Sequence, residues 1–351
     1  GNESWDCGGR FDAVTYAHEY RRFARMIRDV DPGAELVAVG QEDEPLPESN
    51  LDPEWNARFL RALGPAANLV DHLSVHKYWL NGGPETDFDE GQYYALLEEA
   101  ESTEGLIQRT RRTIESTAPP SHRIGIALDE WGVWHPEARD WGPGDVERRP
   151  PAADLGQANT LRDALAVAVA FEGFHRQCKV ISMANLAQVV NVLQAVILTN
   201  GPRFALTPTY HAVALHRPHV GAQALPVDVD SRLLTPTGGL AVSATASVRP
   251  DGSGSAVTIV NRHWDSPATI ETRLPGSPEA RAGDSRVLTA DRANAVNVPG
   301  KAEQVSPRPL QVEVLGDAVF RVSIPAHSMA TIEFASNGRQ PQKPSKPGTR
   351  S

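Results

Sequence analysis

The chain has 351 residues, 40% of them hydrophobic and 22% charged, with a formal net charge of −10. That length exceeds one average domain, so one large or two medium domains are expected, with enough apolar residues for a sizeable core. The acidic balance argues against a nucleic-acid partner, which selects for a basic surface, and leaves neutral polymers such as polysaccharides open.

In chain order, Ala13–Val30 is expected to be a helix, with apolar residues Phe23, Met26, Ile27 and Val30 at helical spacing and a stop at Asp31-Pro32-Gly33. Residues 35–40 read as a buried strand. Residues 53–63 read as a helix with Asp52 as N-cap and Pro53 at its first position. A strand at 71–78, a long helix over Glu90–Thr117 and a strand at 123–131 follow. The stretch 135–154, rich in Pro, Gly and charge, reads as a long loop over an active site. Then come a helix at 155–178, a strand at 179–186, irregular chain, and a short helix at 207–216.

This alternation of helices and short apolar runs calls for a parallel sheet covered by helices. Asn2-Glu3, His76 to Tyr78, Asp129-Glu130 and Asn185 to Gln188 all fall at or just past the carboxyl ends of strand-like segments. A (β/α)8 barrel places its reactive side chains there. A doubly wound sheet does too, but no glycine-rich phosphate fingerprint follows any strand. From about residue 217 the pattern changes to short alternating strands at 240–248, 255–262, 268–274, 311–314 and 329–334, the signature of a β-sandwich. The expected division is therefore a barrel at 1–216 and a sandwich at 217–336. Residues 337–351 are nearly devoid of apolar side chains and are expected to be disordered.

Two cysteines, Cys7 and Cys178, are too few for a disulfide framework, and no CxxC or His-Cys spacing suggests zinc. No run of eighteen apolar residues marks a membrane span. The informative pair is carboxylic. Glu3, in Asn2-Glu3-Ser4-Trp5, and Glu130, in Asp129-Glu130-Trp131, each close a strand-like segment and precede a tryptophan. Hydrolysis of a glycosidic bond needs one carboxyl to protonate the leaving oxygen and another to capture or stabilise the oxocarbenium-like carbon. Far apart in sequence, the two glutamates meet only in a closed fold. Either one alone could equally be a solvated loop acid.

The motifs resemble glycoside hydrolase family 51, the α-L-arabinofuranosidases. Gly1-Asn2-Glu3-Ser4-Trp5 with Cys7-Gly8-Gly9, Tyr16-Ala17 and Tyr20-Arg21-Arg22 is similar to that family's acid/base region. Asp71-His72-Leu73-Ser74-Val75-His76-Lys77-Tyr78 resembles its sixth barrel strand, and Asp129-Glu130-Trp131-Gly132-Val133-Trp134 its nucleophile motif. Met183 to Leu193 and Leu206 to His211 match the surroundings of its eighth strand, and the resemblance covers residues 1–335. It implies Glu3 as general acid/base and Glu130 as nucleophile, with Glu3 protonated while Glu130 is charged. Asn2 is placed to bond a sugar hydroxyl or to cap a strand end. Tyr78 is placed to donate to Glu130 or to sit in the rim core. Gln188 is a candidate sugar contact from strand eight, Trp134 a wall of the sugar site, and His76 either a ligand contact or a structural histidine. Trp131 and Cys7 read as packing.

Two departures stand out. Gly132 occupies a position where many relatives carry Asn, which is expected to loosen that loop. The family's barrel also begins well before the acid motif, so the chain is expected to hold only the C-terminal half of a (β/α)8 TIM barrel, followed by the β-sandwich, and to be inactive alone. For the whole protein, the resemblance implies a retaining enzyme that releases terminal arabinofuranose from arabinoxylan, arabinan or their oligosaccharides. It further implies no metal or organic cofactor, a cytoplasmic location and a homo-oligomer. The alternatives are an endo-β-glucanase-like relative on the same barrel and a non-catalytic carbohydrate-binding remnant.

Overall fold

The computed structural model describes residues 2–42, 52–139, 155–277 and 279–335. Gly1, the expected tail at 337–351 and most of the expected loop at 135–154 lie outside the described residues. The chain divides into two compact units: Gly1–Tyr210 with Asp291–Val305, and His211–Ala290 with Ser306–Ser351. The division falls at 210/211 where 216/217 was expected, and residues 291–305 belong with the first unit. There Leu161 N donates to Ala295 O at 3.0 Å, and Asn297 Nδ2 donates to Leu206 O at 2.9 Å.

The first unit is the C-terminal half of a (β/α)8 barrel. Its sheet has the order β1 (Val37–Val39), β2 (His72–Trp79), β3 (Gly125–Val133), β4 (Ile181–Leu186). All three pairings are parallel. Parallel neighbours need crossovers, and these are made by helices α2 (Trp55–Leu63), α3 (Glu90–Thr117) and α4 (Leu161–Arg176), while α1 (Ala13–Val30) leads into β1. The helix starts are fixed chemically. Asp12 accepts from the amides of Val14 and Thr15, while Asp89-Gln92 and Thr160-Asp163 form capping boxes on α3 and α4.

α2 begins later than expected. The Asp52 side chain accepts from Glu54 N at 3.0 Å and its carbonyl from Trp55 N at 2.9 Å, so Asp52-Pro53 forms a turn ahead of the helix. α4 likewise begins at Leu161 because residues 155–160 serve the loops: Gln157 bonds both Val133 O and His135 N. The irregular chain after β4 contains a hairpin, β5 (Ile197–Asn200) with β6 (Arg203–Leu206), before α5 (Pro208–Leu215).

α1 packs through Tyr16, Ala17, Tyr20 and Ala24, with Tyr16 against Trp55 and Phe59 at ring separations of 5.2 Å. Its other apolar stripe, Phe23, Met26, Ile27 and Val30, is exposed, Val30 by 88%. β1 and β4 each have one unpaired side within this sheet.

The second unit is a β-sandwich. One sheet runs β12 (Arg308–Pro309), β11 (Arg281–Leu288), β15 (Ser328–Ala335), β9 (Gly254–Asn261), β8 (Val242–Val248), β7 (Gln223–Leu225). The other runs β10 (Ala268–Arg273), β14 (Val319–Ile324), β13 (Glu313–Gly316). Val257, Ile259, Ile332 and Phe334 of the larger sheet pack against Phe320, Val322 and Ile324 of the smaller. The Phe320–Phe334 rings lie 4.7 Å apart. No described helix is long and apolar enough to cross a membrane.

Candidate active site

The local fold around Glu3 explains the Gly8 that follows it. Glu3 takes a left-handed backbone, φ 51°, and its carbonyl accepts from the amides of Asp6 and Gly8 at 2.9 and 3.0 Å. A Cβ on residue 8 would lie 1.8 Å from Asn2 O, so only glycine closes this turn. Ser4 is buried and accepts from Gln41 Nε2 at 3.1 Å, which ties the turn to the residues just past β1.

The position of Glu130 depends on a bulge. Ser74 pairs with Ala127, but the next pairing joins His76 to Glu130, so β3 carries one extra residue there. A bulge re-aims side chains locally, and this one sets Glu130 beside His76 with Asp129 on its flank.

Glu3, His76 and Glu130 then converge. One ligand atom from each lies within 4.8 Å of the other two, the only such grouping of His, Cys, Asp and Glu among the described residues. His76 Nδ1 lies 3.0 Å from Glu3 Oε1 and 3.7 Å from Glu130 Oε2, and Nε2 lies 3.5 Å from Asp129 Oδ1. Nδ1 of His76 thus faces both glutamates and is within hydrogen-bond reach of Glu3. Tyr78 donates its hydroxyl to Glu130 Oε2 at 2.8 Å, and Asn2 Nδ2 donates to Glu130 Oε1 at 3.3 Å. Each oxygen of Glu130 therefore has a donor.

The electrostatics differ from the sequence expectation. The hydrogen bond from His76, reinforced by its charge, holds the Glu3 carboxyl below its ordinary range against the opposing effect of burial. Burial pushes the His76 imidazole down, but the bond to Glu3 and the charges of Glu130, Asp129 and Glu3 outweigh it and raise it. Burial, then the charge of Glu130 and the bond to it, push the Tyr78 phenol far up, so it stays a donor. Both shifts favour a Glu3 carboxylate facing a His76 imidazolium over the protonated Glu3 expected from sequence.

The remaining sequence candidates are less central. Trp134 is half-buried, donates its indole N–H to Ala138 O at 2.9 Å, and meets Tyr78 edge-on at 5.1 Å. Gln188 is exposed, two residues past β4, and no hydrogen bond among the described residues joins its side chain to the cluster. Trp131 is buried against Trp79, Phe171 and Phe174, beneath the strand that carries Glu130. Two polar groups went unassigned from sequence: Asp129, and Ser74, which donates to Asp129 Oδ1 at 2.6 Å. The alternation of Ser74 with His76 along β2, and the place of Asp129 next to Glu130 on β3, were the available signals. Cys7, read as packing, is exposed with Sγ 3.6 Å from Glu3 Oε2.

The family model for the alpha-L-arabinofuranosidase C-terminal domain matches residues 129–328. An intracellular exo-alpha-L-arabinofuranosidase of Bacteroides ovatus is 31% identical over 95% of this chain and 62% of its own length. An intracellular exo-alpha-(1->5)-L-arabinofuranosidase of Streptomyces lividans is 27% identical, over 98% of this chain and 51% of its own. The crystal structure of the family 51 arabinofuranosidase from Xanthomonas axonopodis pv. citri superposes with a TM-score of 0.81 at 29% identity, over 95% of this chain and 65% of that one. The chain thus spans less than two thirds of the length of each of these relatives. A family match across more than half of the chain, together with a 31% identical relative aligned over 95% of this chain, places the chain among the glycoside hydrolase family 51 arabinofuranosidases, as their C-terminal portion.

Proposed function

We propose that the chain carries the catalytic carboxylates of a retaining, exo-acting α-L-arabinofuranosidase, with Glu3 as general acid/base and Glu130 as nucleophile. The observation that carries this reading is their spacing: one oxygen of each lies within 4.8 Å of the other. Retaining glycosidases hold their carboxyls roughly 5–5.5 Å apart, whereas inverting ones leave roughly 6.5–9.5 Å for a water. The donors on Glu130 fit a group that must remain charged until it attacks the anomeric carbon. Glu3 protonates the departing oxygen, then takes a proton from the water that cleaves the arabinosyl-Glu130 ester.

Asn2, Tyr78, Trp134 and Gln188 are the candidate sugar-facing groups at this rim. The substrates would be terminal arabinofuranosyl groups of arabinoxylan, arabinan or their oligosaccharides, cleaved without metal or organic cofactor in an intracellular, oligomeric enzyme. Four strands form only part of a barrel rim, so the 351-residue chain by itself is expected to show no turnover.

The test completes the barrel with four preceding strands from a family member and compares an aryl α-L-arabinofuranoside with a soluble cellulose derivative. Proton NMR follows the first anomer released. The α-anomer from the arabinofuranoside is expected. First release of the β-anomer refutes retention, and cleavage of the cellulose derivative alone refutes the sugar class in favour of an endo-β-glucanase. Binding of arabinose oligomers without turnover favours the non-catalytic reading.

A further inference from the structure

Glu3 must hold a proton when the glycosidic bond breaks, yet its environment favours the carboxylate. We propose that His76 stores the proton that Glu3 delivers, making His76 a positioning residue for the acid/base and not a sugar contact. This rests on the roles proposed above for Glu3 and Glu130.

The geometry carries it. His76 is 6% exposed, so a bound sugar has little of its ring to touch. Its two nitrogens face three carboxylates: Glu3 from the N-terminal turn, and Glu130 and Asp129 from β3. The Trp5 ring meets the imidazole edge-on at 5.8 Å and closes that side. On β2, Ser74 bonds Asp129 and Tyr78 bonds Glu130, while the neighbouring Lys77 pairs with Glu42 at 3.0 Å. Beyond Glu3 the next titratable group is the Cys7 thiol. A buried ring ringed by acids, with no cation bonded to it among the described residues, is a favourable place for an imidazolium. The raised imidazole and lowered Glu3 carboxyl agree with that arrangement.

The proton balance closes over the cycle. In the resting site, Nδ1–H of the imidazolium faces the Glu3 carboxylate. On cleavage the N–H bond breaks and an O–H bond forms on the Glu3 carboxyl. That proton passes to the departing oxygen as the glycosidic C–O bond breaks and Glu130 bonds the anomeric carbon. His76 is then neutral and Glu3 is again a carboxylate. Loss of the Glu130 charge in the ester removes one of the groups that held the imidazole protonated. In the second half, Glu3 takes a proton from water as water's oxygen displaces Glu130, and returns the proton to Nδ1. The carboxyl can turn to present the proton, because among the described residues Oε2 is hydrogen-bonded only by the Cys7 thiol.

The experiment is NMR on the 351-residue chain, which needs no turnover. The ring ¹⁵N signals of His76, assigned by their loss in H76N, and the carboxyl ¹³C signal of Glu3, assigned by its loss in E3Q, are followed against pH. Expected is a His76 titration above the ordinary imidazole value of 6.5 and a Glu3 titration below the ordinary 4.5. E3Q and D129N should each move the His76 titration to lower pH, and E130Q, a neutral stand-in for the esterified nucleophile, should do the same. In H76N, which keeps a neutral donor but stores no proton, Glu3 should titrate at higher pH. A His76 that stays neutral through about pH 5–8, or whose titration is unmoved by E3Q, overturns the proposal. Absence of arabinofuranoside turnover by the completed barrel would instead count against the function, leaving these titrations readable by themselves.

Discussion

Gly132 offers a sharp test of how the nucleophile strand is built. The residue stands in the β2–β3 ladder opposite Tyr78, the side chain that donates to Glu130. Its φ is 137°, where a side chain is rarely tolerated, and a Cβ there would lie 3.0 Å from Gln194 Oε1 and 3.1 Å from Leu186 Cδ1. Gln194 has little room to yield. Its Oε1 accepts from Val133 N at 2.8 Å, and its Nε2 donates to Asp163 O and Thr209 Oγ1. Backbone strain of this kind costs about 1–3 kcal/mol, and crowding a packed site about 1–3 kcal/mol more. Gly132→Asn and Gly132→Ala should therefore each destabilise the first unit by about 2–6 kcal/mol, which at about 2–4 °C per kcal/mol lowers its melting temperature by roughly 4–24 °C. Urea unfolding followed by tryptophan fluorescence reads this directly. The expectation that glycine loosens this loop points the other way, since a side chain should then stabilise. Midpoints within about 0.5 kcal/mol of the parent for both variants, or a gain in stability, refute the strain argument.

In a completed barrel, Tyr78→Phe removes a charge-assisted hydrogen bond of about 1.5–3 kcal/mol, so kcat for an aryl arabinofuranoside should fall roughly 10–100-fold; an unchanged kcat contradicts the contact. Asp163 is fully buried between His135 and Arg162, and Asp163→Ala leaves the Arg162 guanidinium without its carboxylate. A loss of about 3–5 kcal/mol is expected in urea unfolding, and a loss below about 1 kcal/mol would show that the pair contributes little. The Glu3–His76 pair makes stability depend on pH. The lowered Glu3 contributes above the ordinary carboxylate value of 4.5 and loses that as pH falls through its folded value. The raised His76 contributes below the ordinary imidazole value of 6.5 and loses that as pH rises through its folded value. The pair's contribution, taken as the difference between wild type and H76N in urea midpoints across pH, should be fullest between 4.5 and 6.5; a flat difference refutes it.

The fold was most legible where local chemistry fixes an element. Ala13–Val30 and Glu90–Thr117 appear with their expected bounds because Asp12 and the Asp89-Gln92 box set their starts. Sequence periodicity could not say which apolar stripe of α1 is covered, since that depends on the aromatic partners Trp55 and Phe59. β11 escaped notice because its first half, Arg281 to Asp284, has no large apolar side chain and its ladder with β15 is irregular between Ala282 and Ser285. The glutamate motifs stood out from their neighbours in sequence. The bulge that brings Glu130 beside His76 did not, because register is a relation between two strands far apart in the chain. For the same reason the sequence leaves His76 as either a ligand contact or a structural histidine, and its place among three carboxylates emerges only when the strands are paired.

The central claim is that Glu130 attacks and Glu3 transfers the proton. Azide rescue of alanine variants in a completed barrel, acting on an aryl α-L-arabinofuranoside, tests both roles at once. With Glu130 removed, azide takes the vacated face and the product should be the β-arabinofuranosyl azide. With Glu3 removed, azide opens the arabinosyl-Glu130 intermediate and the product should be the α-azide. The reverse pattern, or the same anomer from both variants, would contradict the assignment.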